Sequence, residues 1–208
     1  MGLVGDYFTP EVFENNVQRV EMGYSHEAFT KRNGTLWLVG DNSCGQLGDG
    51  TNTERTSPVA VLENVKSFSL GAEHSAAVTT DGSLYTWGNN NKGQLGDGTN
   101  QNRNQPVKVL DNVESVSCGE YTTAAITKEG SLYIWGWNDF YMLGIGRKGD
   151  SNVPIKIMDN VASVSLGNAF SSCIDKNGVL YTWGGNYDGK LGYDAEYSVR
   201  EPKALYIK

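Results

Sequence analysis

Two histidines, His26 and His74, are the only imidazoles in the 208-residue chain, and no Ser or Cys nucleophile can be identified beside either. They stand 48 residues apart (74−26), and further steps of 48 reach Thr122 and Phe170. A position that accepts Phe is not reserved for proton transfer, so both histidines read as loop-packing residues. The carboxylates are as dispersed. Glu27, Glu73 and Glu120 fall in short loops, and Asp49 and Asp97 in a repeated Asp-Gly-Thr-Asn turn, which offers calcium too few oxygens. The three cysteines are odd in number and have no Cys-x-x-Cys spacing, which gives neither a disulfide framework nor a zinc site. Cys118 aligns with Met22, Leu70 and Leu166, and Cys173 with Ala77 and Ala125, as small buried hydrophobes, leaving Cys44 as a loop thiol. The Gly-Gln-Leu-Gly segments at 45–48 and 93–96 lack the strand, loop, Lys and helix order of a phosphate cradle and read as turns. No catalytic, cofactor-binding or metal-ligating set emerges, and the chain is expected not to be an enzyme.

Composition narrows the partners. Lys and Arg total 17 against 24 Asp and Glu, so this acidic chain carries a net charge of −7, which disfavours nucleic acid. No apolar run approaches the ~20 residues that cross a bilayer, and no membrane partner is expected. The opening MGLVGDYFTPEVF has no basic segment followed by an apolar stretch. With the cysteine pattern, this makes a reducing, cytoplasmic location the expectation.

The elements that must position any site come from an internal repeat. Gly23, Gly71, Gly119 and Gly167 are spaced by 48, and so are Asn16, Asn64, Asn112 and Asn160, Gly34, Gly82, Gly130 and Gly178, and Leu47, Leu95, Leu143 and Leu191. Within the second unit, VKSFSL (65–70), HSAAVT (74–79), SLYTW (83–87) and VKVL (107–110) read as four short strands, with Asp81-Gly82 as the tight turn between the second and third. Four antiparallel strands per ~40 to 50 residues is the pattern of a β-propeller blade. The fold class is therefore all-β, with four tandem 48-residue repeats of a four-stranded antiparallel sheet in a single domain over 1–208. The units fall at about 16–63, 64–111, 112–159 and 160–207, after an N-terminal extension 1–15 that holds a degenerate strand. Pro10-Glu11-Val12-Phe13 and Pro202-Lys203-Ala204-Leu205 both look like fourth strands, and each carries a charge where the inner repeats have Val59 and Val107. Charges guard exposed sheet edges, so an open arc, or part-propeller, is expected rather than a closed ring, with homo-oligomers through the blade edges as a further possibility.

The wording of each unit, GAEHSAAVTTDGSLYTWGNNNKGQLGDG in the second, resembles the regulator of chromosome condensation repeat family over residues ~10 to 208. That resemblance implies propeller blades, usually seven, and partner binding through a face or rim. Members include a guanine-nucleotide exchange factor for a small GTPase, a plant ultraviolet receptor and a bacterial β-lactamase inhibitor. The exchange factor's protruding hairpin has no counterpart here, because the repeat carries no insertion.

Strand alternation puts the short loop after each first strand and the long loop after each third strand on one face. Columns kept in every copy maintain the blade, and departures are free for a partner. Trp87, Trp135 and Trp183 share a column with Val39, and Tyr85, Tyr133 and Tyr181 one with Trp37, as inter-blade packing. The third copy departs most. Trp137, Phe140, Tyr141 and Met142 stand where the second has Asn89, Lys92, Gly93 and Gln94. Two placements fit them: on the face as a binding hot spot, or turned inward to fill the space of the missing glycine turn. Tyr24, Tyr121 and Phe170 join them from the short loops, and Arg147 and Lys148 form a basic spot nearby. The function expected is a non-catalytic scaffold that binds a protein partner through the long-loop face. Regulation of a small GTPase by nucleotide exchange and a chromatin- or DNA-associated module are the alternatives.

Overall fold

Each blade starts from an asparagine held in the left-handed region: Asn16, Asn64, Asn112 and Asn160 have φ of 61°, 56°, 63° and 63°. Asn tolerates this conformation better than other residues with a Cβ, which explains that column. The computed structural model describes residues 15–192, 194 and 197–205. The strand expected at Pro10–Phe13 lies outside the described residues.

Four antiparallel sheets follow in sequence order. The first holds β1 (Val17–Met22), β2 (His26–Lys31), β3 (Leu36–Gly40) and β4 (Arg55–Leu62), and the second β5 (Val65–Leu70), β6 (His74–Thr79), β7 (Leu84–Gly88) and β8 (Arg103–Leu110). The third holds β9 (Val113–Cys118), β10 (Thr122–Thr127), β11 (Leu132–Gly136) and β12 (Ser151–Met158), and the fourth β13 (Val161–Leu166), β14 (Phe170–Asp175), β15 (Leu180–Gly185) and β16 (Ser198–Ala204). The fourth strands start earlier than their apolar residues suggest, because Gly88 already pairs with Arg103 beyond an irregularity in the ladder. β5 lies beside β9 and β9 beside β13, so first strands line the axis and fourth strands the rim.

The core lies between sheets, in three seams. Ala28, Leu36, Leu38 and Leu47 of the first blade pack on Val65, Phe68, Ala77 and Trp87 of the second. The same columns form the second and third seams. Each seam is also tied through one backbone carbonyl. Gln46 O accepts from Trp87 Nε1 at 2.9 Å and Ser75 Oγ at 2.8 Å. Gln94 O accepts from Trp135 Nε1 and Thr123 Oγ1, and Met142 O from Trp183 Nε1 and Ser171 Oγ.

No such seam closes the ring among the described residues. Val17, Val20 and Met22 are 39%, 56% and 74% exposed, whereas Val65, Phe68 and Leu70 in the same columns are at most 7% exposed. At the other end Ile174 is open where Val78 and Ile126 are buried. The sheets form an open arc.

Both histidines belong to seams. His26 Nε2 lies 3.0 Å from Ser75 Oγ, whose single hydrogen is donated to Gln46 O, so the imidazole donates from Nε2. His74 stands in the same relation to Thr123 and Gln94. Nδ1 of each is buried with no hydrogen-bond partner. Burial lowers the His26 imidazole to about 4 against an opposing pull from Asp41. It lowers that of His74 to about 3, with His26 adding to the effect. Because the folded values lie below the unfolded one, the unfolded chain binds more protons as pH falls below ~6.5. Stability is therefore lost on acidification from ~6.5 toward 4, by up to ~1.4 kcal/mol per pH unit for each histidine. Urea midpoints at pH 7, 5.5 and 4.5 should fall less steeply in His26→Thr/His74→Thr, the residue of the third copy. An unchanged slope would assign the acid sensitivity to other groups.

Candidate functional site

The long loops are held by a buried asparagine that sequence reasoning missed. Asn42 and Asn90 are fully buried, and each Nδ2 reaches the carbonyls of residues 9 and 11 positions on, while Oδ1 accepts the backbone N–H of Leu47 or Leu95. Asn138 repeats this with Arg147 O, Gly149 O and Leu143 N. The signal was present, since 42, 90, 138 and 186 are spaced by 48, but the column sits among other asparagines in NNN (89–91). In the first two loops Asp49 and Asp97 are also occupied internally, by Thr51 and Arg55 and by Thr99 and Arg103. Hydrogen bonds from Thr51 and Arg55 hold the Asp49 carboxyl below its ordinary range although burial opposes them. Among the described residues no group of three His, Cys, Asp or Glu is placed to hold a metal ion.

The third loop keeps the staple but lacks the Asp–Arg pair, and it carries the aromatics. Tyr121, Trp137, Phe140 and Tyr187 form a row of edge-on contacts, with centroids 6.0, 5.3 and 5.7 Å apart and planes 84° to 90° to one another. Such pairs add roughly 0.5–1.5 kcal/mol each beyond their burial. The row runs from the short loop of the third blade to the long loop of the fourth. Tyr187, in the 3-10 turn Tyr187–Gly189, is 45% exposed and extends the set predicted from sequence. Its column holds Ser43, Asn91 and Asp139, so the test of departure from a polar column would have found it.

The other sequence candidates divide. Tyr24 is 90% exposed and stands on the same face near the axis. Phe170 packs partly into the seam below, with Lys190 Nζ 5.6 Å from its ring centroid. Met142 is 1% exposed and is not available to a partner; it fills the seam position that Gln46 and Gln94 fill in the other copies. Trp137 and Phe140 are half-buried in the row rather than turned fully inward. Of the basic pair, Lys148 lies over Tyr141 at 5.7 Å, and Arg200 approaches the same ring at 5.2 Å.

Tyr141 keeps the glycine turn without the glycine. Its φ is 63°, and its column holds Gly45, Gly93 and Gly189, whose φ values are 83°, 76° and 70°. A bulky side chain in this region costs about 1–2 kcal/mol. Tyr141→Gly removes that strain together with two exposed cation contacts worth roughly 0.5–1 kcal/mol each, so the thermal midpoint should hold level or rise by the equivalent of at most about 1 kcal/mol. A lower midpoint in scanning calorimetry would mean that the ring stabilises the loop more than the strain costs.

A sequence model of the RCC1-like domain matches residues 5–207. No curated protein matches the chain in sequence. Among solved structures, human WBSCR16 superposes with a TM-score of 0.82 at 25% identity, over 92% of this chain and 53% of that one. Prp20p from Saccharomyces cerevisiae, described by its binding properties to Gsp1p and histones, gives 0.80 at 23% identity, over 92% of this chain and 50% of its own. Yeast RCC1 (Prp20) bound by Kap60 gives 0.80 at 24% identity, over 95% and 50%. The chain thus spans about half the length of the solved relatives it matches. With the 48-residue blades and the family match over nearly all of its length, the chain belongs to the RCC1-like domain family.

Proposed function

We propose that the chain is a non-catalytic protein-binding scaffold whose long-loop face docks a protein partner. The observation that carries this reading is the aromatic row from Tyr121 to Tyr187. It is centred on the long loop of the third blade, which departs most from the repeated polar sequence, and reaches Tyr121 and Tyr187 in the loops on either side. Aromatic side chains on a rigid support concentrate binding energy at little entropic cost. Prp20p, of the same fold, is described as binding Gsp1p and histones, so a small GTPase and histones are the first probes to use. The three free cysteines fit a reducing compartment, and cytoplasmic residence is part of the proposal.

Trp137→Ala/Phe140→Ala should abolish capture of whichever probe binds, or weaken it at least ~10-fold, the scale of a hot spot. Tyr187→Ala, at a more exposed ring, should weaken capture while lowering stability by no more than its one edge contact, about 0.5–1.5 kcal/mol in the urea transition. Full capture by both variants would remove the face from the account.

A second reading concerns the arc's ends. Val17, Val20 and Met22 at one end and Ile174 at the other are exposed, in columns that the complete seams bury wholly or in part. We propose that these faces pair arc to arc. Sedimentation equilibrium should then give twice the 22.7 kDa chain mass, and a monomer at micromolar concentration would set this pairing aside.

A further inference from the structure

We propose that the axial end of the aromatic row admits a cationic side chain of the partner, an arginine or lysine carried on an extended segment. This rests on the long-loop face being a docking surface and adds the chemistry of the group it receives.

The concave mouth of the arc encloses about 650 Å³. Its floor is apolar, made by Met22, Leu70, Cys118 and Leu166, the last residues of the four first strands. Its rim carries two phenols, Tyr24 and Tyr121, and two carboxylates, Glu73 and Glu120. The short loops of the second and third blades touch directly, with Ala72 N donating to Glu120 O at 3.2 Å, so the two carboxylates belong to adjoining loops. Burial raises the Tyr121 phenol, and Glu120 and then Glu73 raise it further. Glu73 accepts a hydrogen bond from Asn89 Nδ2 at 2.7 Å. Among the described residues no Lys or Arg pairs with Glu73 or Glu120.

Four of the chain's own cations lie over other rings. Lys31 lies over Trp37 at 4.4 Å, Lys190 over Phe170, and Lys148 and Arg200 over Tyr141. Among the described residues no cation lies over Tyr24 or Tyr121. Acidic groups thus attend the axial end of the row, while Lys148 and Arg200 lie over Tyr141, the residue after Phe140.

Three classes of entering side chain can be ranked. A carboxylate meets two like charges, which disfavour it. An apolar or neutral group covers the floor but takes water from two carboxylates and returns nothing, which carries a desolvation penalty. An arginine or lysine lays its methylenes on the floor and brings its charged head to the carboxylates and ring faces at the rim. Only the last satisfies all three surfaces.

Fluorescein-labelled (Gly-Arg)4, (Gly-Lys)4 and (Gly-Ser)4 serve as probes, read by fluorescence anisotropy at about 150 mM salt to screen general attraction. The arginine or lysine peptide should bind about tenfold tighter than the serine peptide. Glu73→Gln/Glu120→Gln should weaken it about fivefold or more. Glu63→Gln/Asp111→Asn removes the same charge from turns on the opposite face and should change it less than twofold. Equal weakening by both pairs, or no preference for the cationic peptides, overturns the inference, because net charge alone would then explain the binding. Suppose Trp137→Ala/Phe140→Ala abolishes capture of the protein probe while Glu73→Gln/Glu120→Gln leaves both capture and peptide binding unchanged. The cation inference then falls and the docking face stands. If neither pair alters capture, the docking face falls with it.

Discussion

Three backbone carbonyls, at Gln46, Gln94 and Met142, each accept two hydrogen bonds from the following blade. A carbonyl has two acceptor lone pairs, and here both are used across a seam. In magnitude these bonds are secondary. Burying an indole removes roughly 150–250 Å² from water, worth about 4–6 kcal/mol at ~25 cal/mol/Å², against about 1 kcal/mol net for a typical hydrogen bond. Their effect is on register. Apolar contact tolerates sliding of one sheet over another, whereas a buried indole N–H left without its acceptor costs a further 1–3 kcal/mol. Packing holds neighbouring blades together, and the shared carbonyl fixes where they meet.

That carbonyl belongs to the long loop, so the scaffold and the candidate face are not separate parts. The residue that supplies it lies four positions beyond the buried asparagine, which closes the same loop on itself. One loop thus has its internal shape set by Asn42, Asn90 or Asn138 and its position set by the next blade's Trp. This leaves few positions where side chains can change without moving the fold. In the third copy they are taken by Trp137, Phe140 and Tyr141. The turn itself does not yield, since Tyr141 accepts the left-handed conformation of the glycine it replaces.

The fold was legible because the repeat is read in phase. Columns such as Asn16, Asn64, Asn112 and Asn160 recur for a backbone reason that survives every change of neighbour. The Trp column was rightly read as inter-blade packing, although nothing in the sequence pointed to the carbonyl that the indole meets. The candidate site was legible only in part. Met142 looked like a hot-spot residue because Met replaced Gln, yet that column was buried already, with Gln46 and Gln94 fully covered. Polarity misleads there, because a glutamine can satisfy its amide within its own loop, as Gln46 does with Cys44 N and Asp41. His26 and His74 read as packing residues in the sequence, and both are buried. Their hydrogen-bonded role at the seam depends on Ser75 and Thr123, 49 residues further on, a pairing visible only once the blades are stacked.

The aromatic row ties these points together. Phe140 and Tyr187 stand on different blades, 5.7 Å apart, so their contact crosses the third seam. The same seam is fixed by Trp183 and Ser171 on Met142 O, two residues beyond Phe140. The row therefore inherits its spacing from the blade-to-blade register rather than from the loop alone. A surface spread over two blades is rigid only as far as its seam is rigid. This is why the substitution of Gln by Met at 142 is tolerable: the backbone oxygen does the joining, and the side chain needs only to fill the space. Variation in side chains with constancy in the carbonyl lets one copy of a repeat take on a different surface while the arc keeps its form.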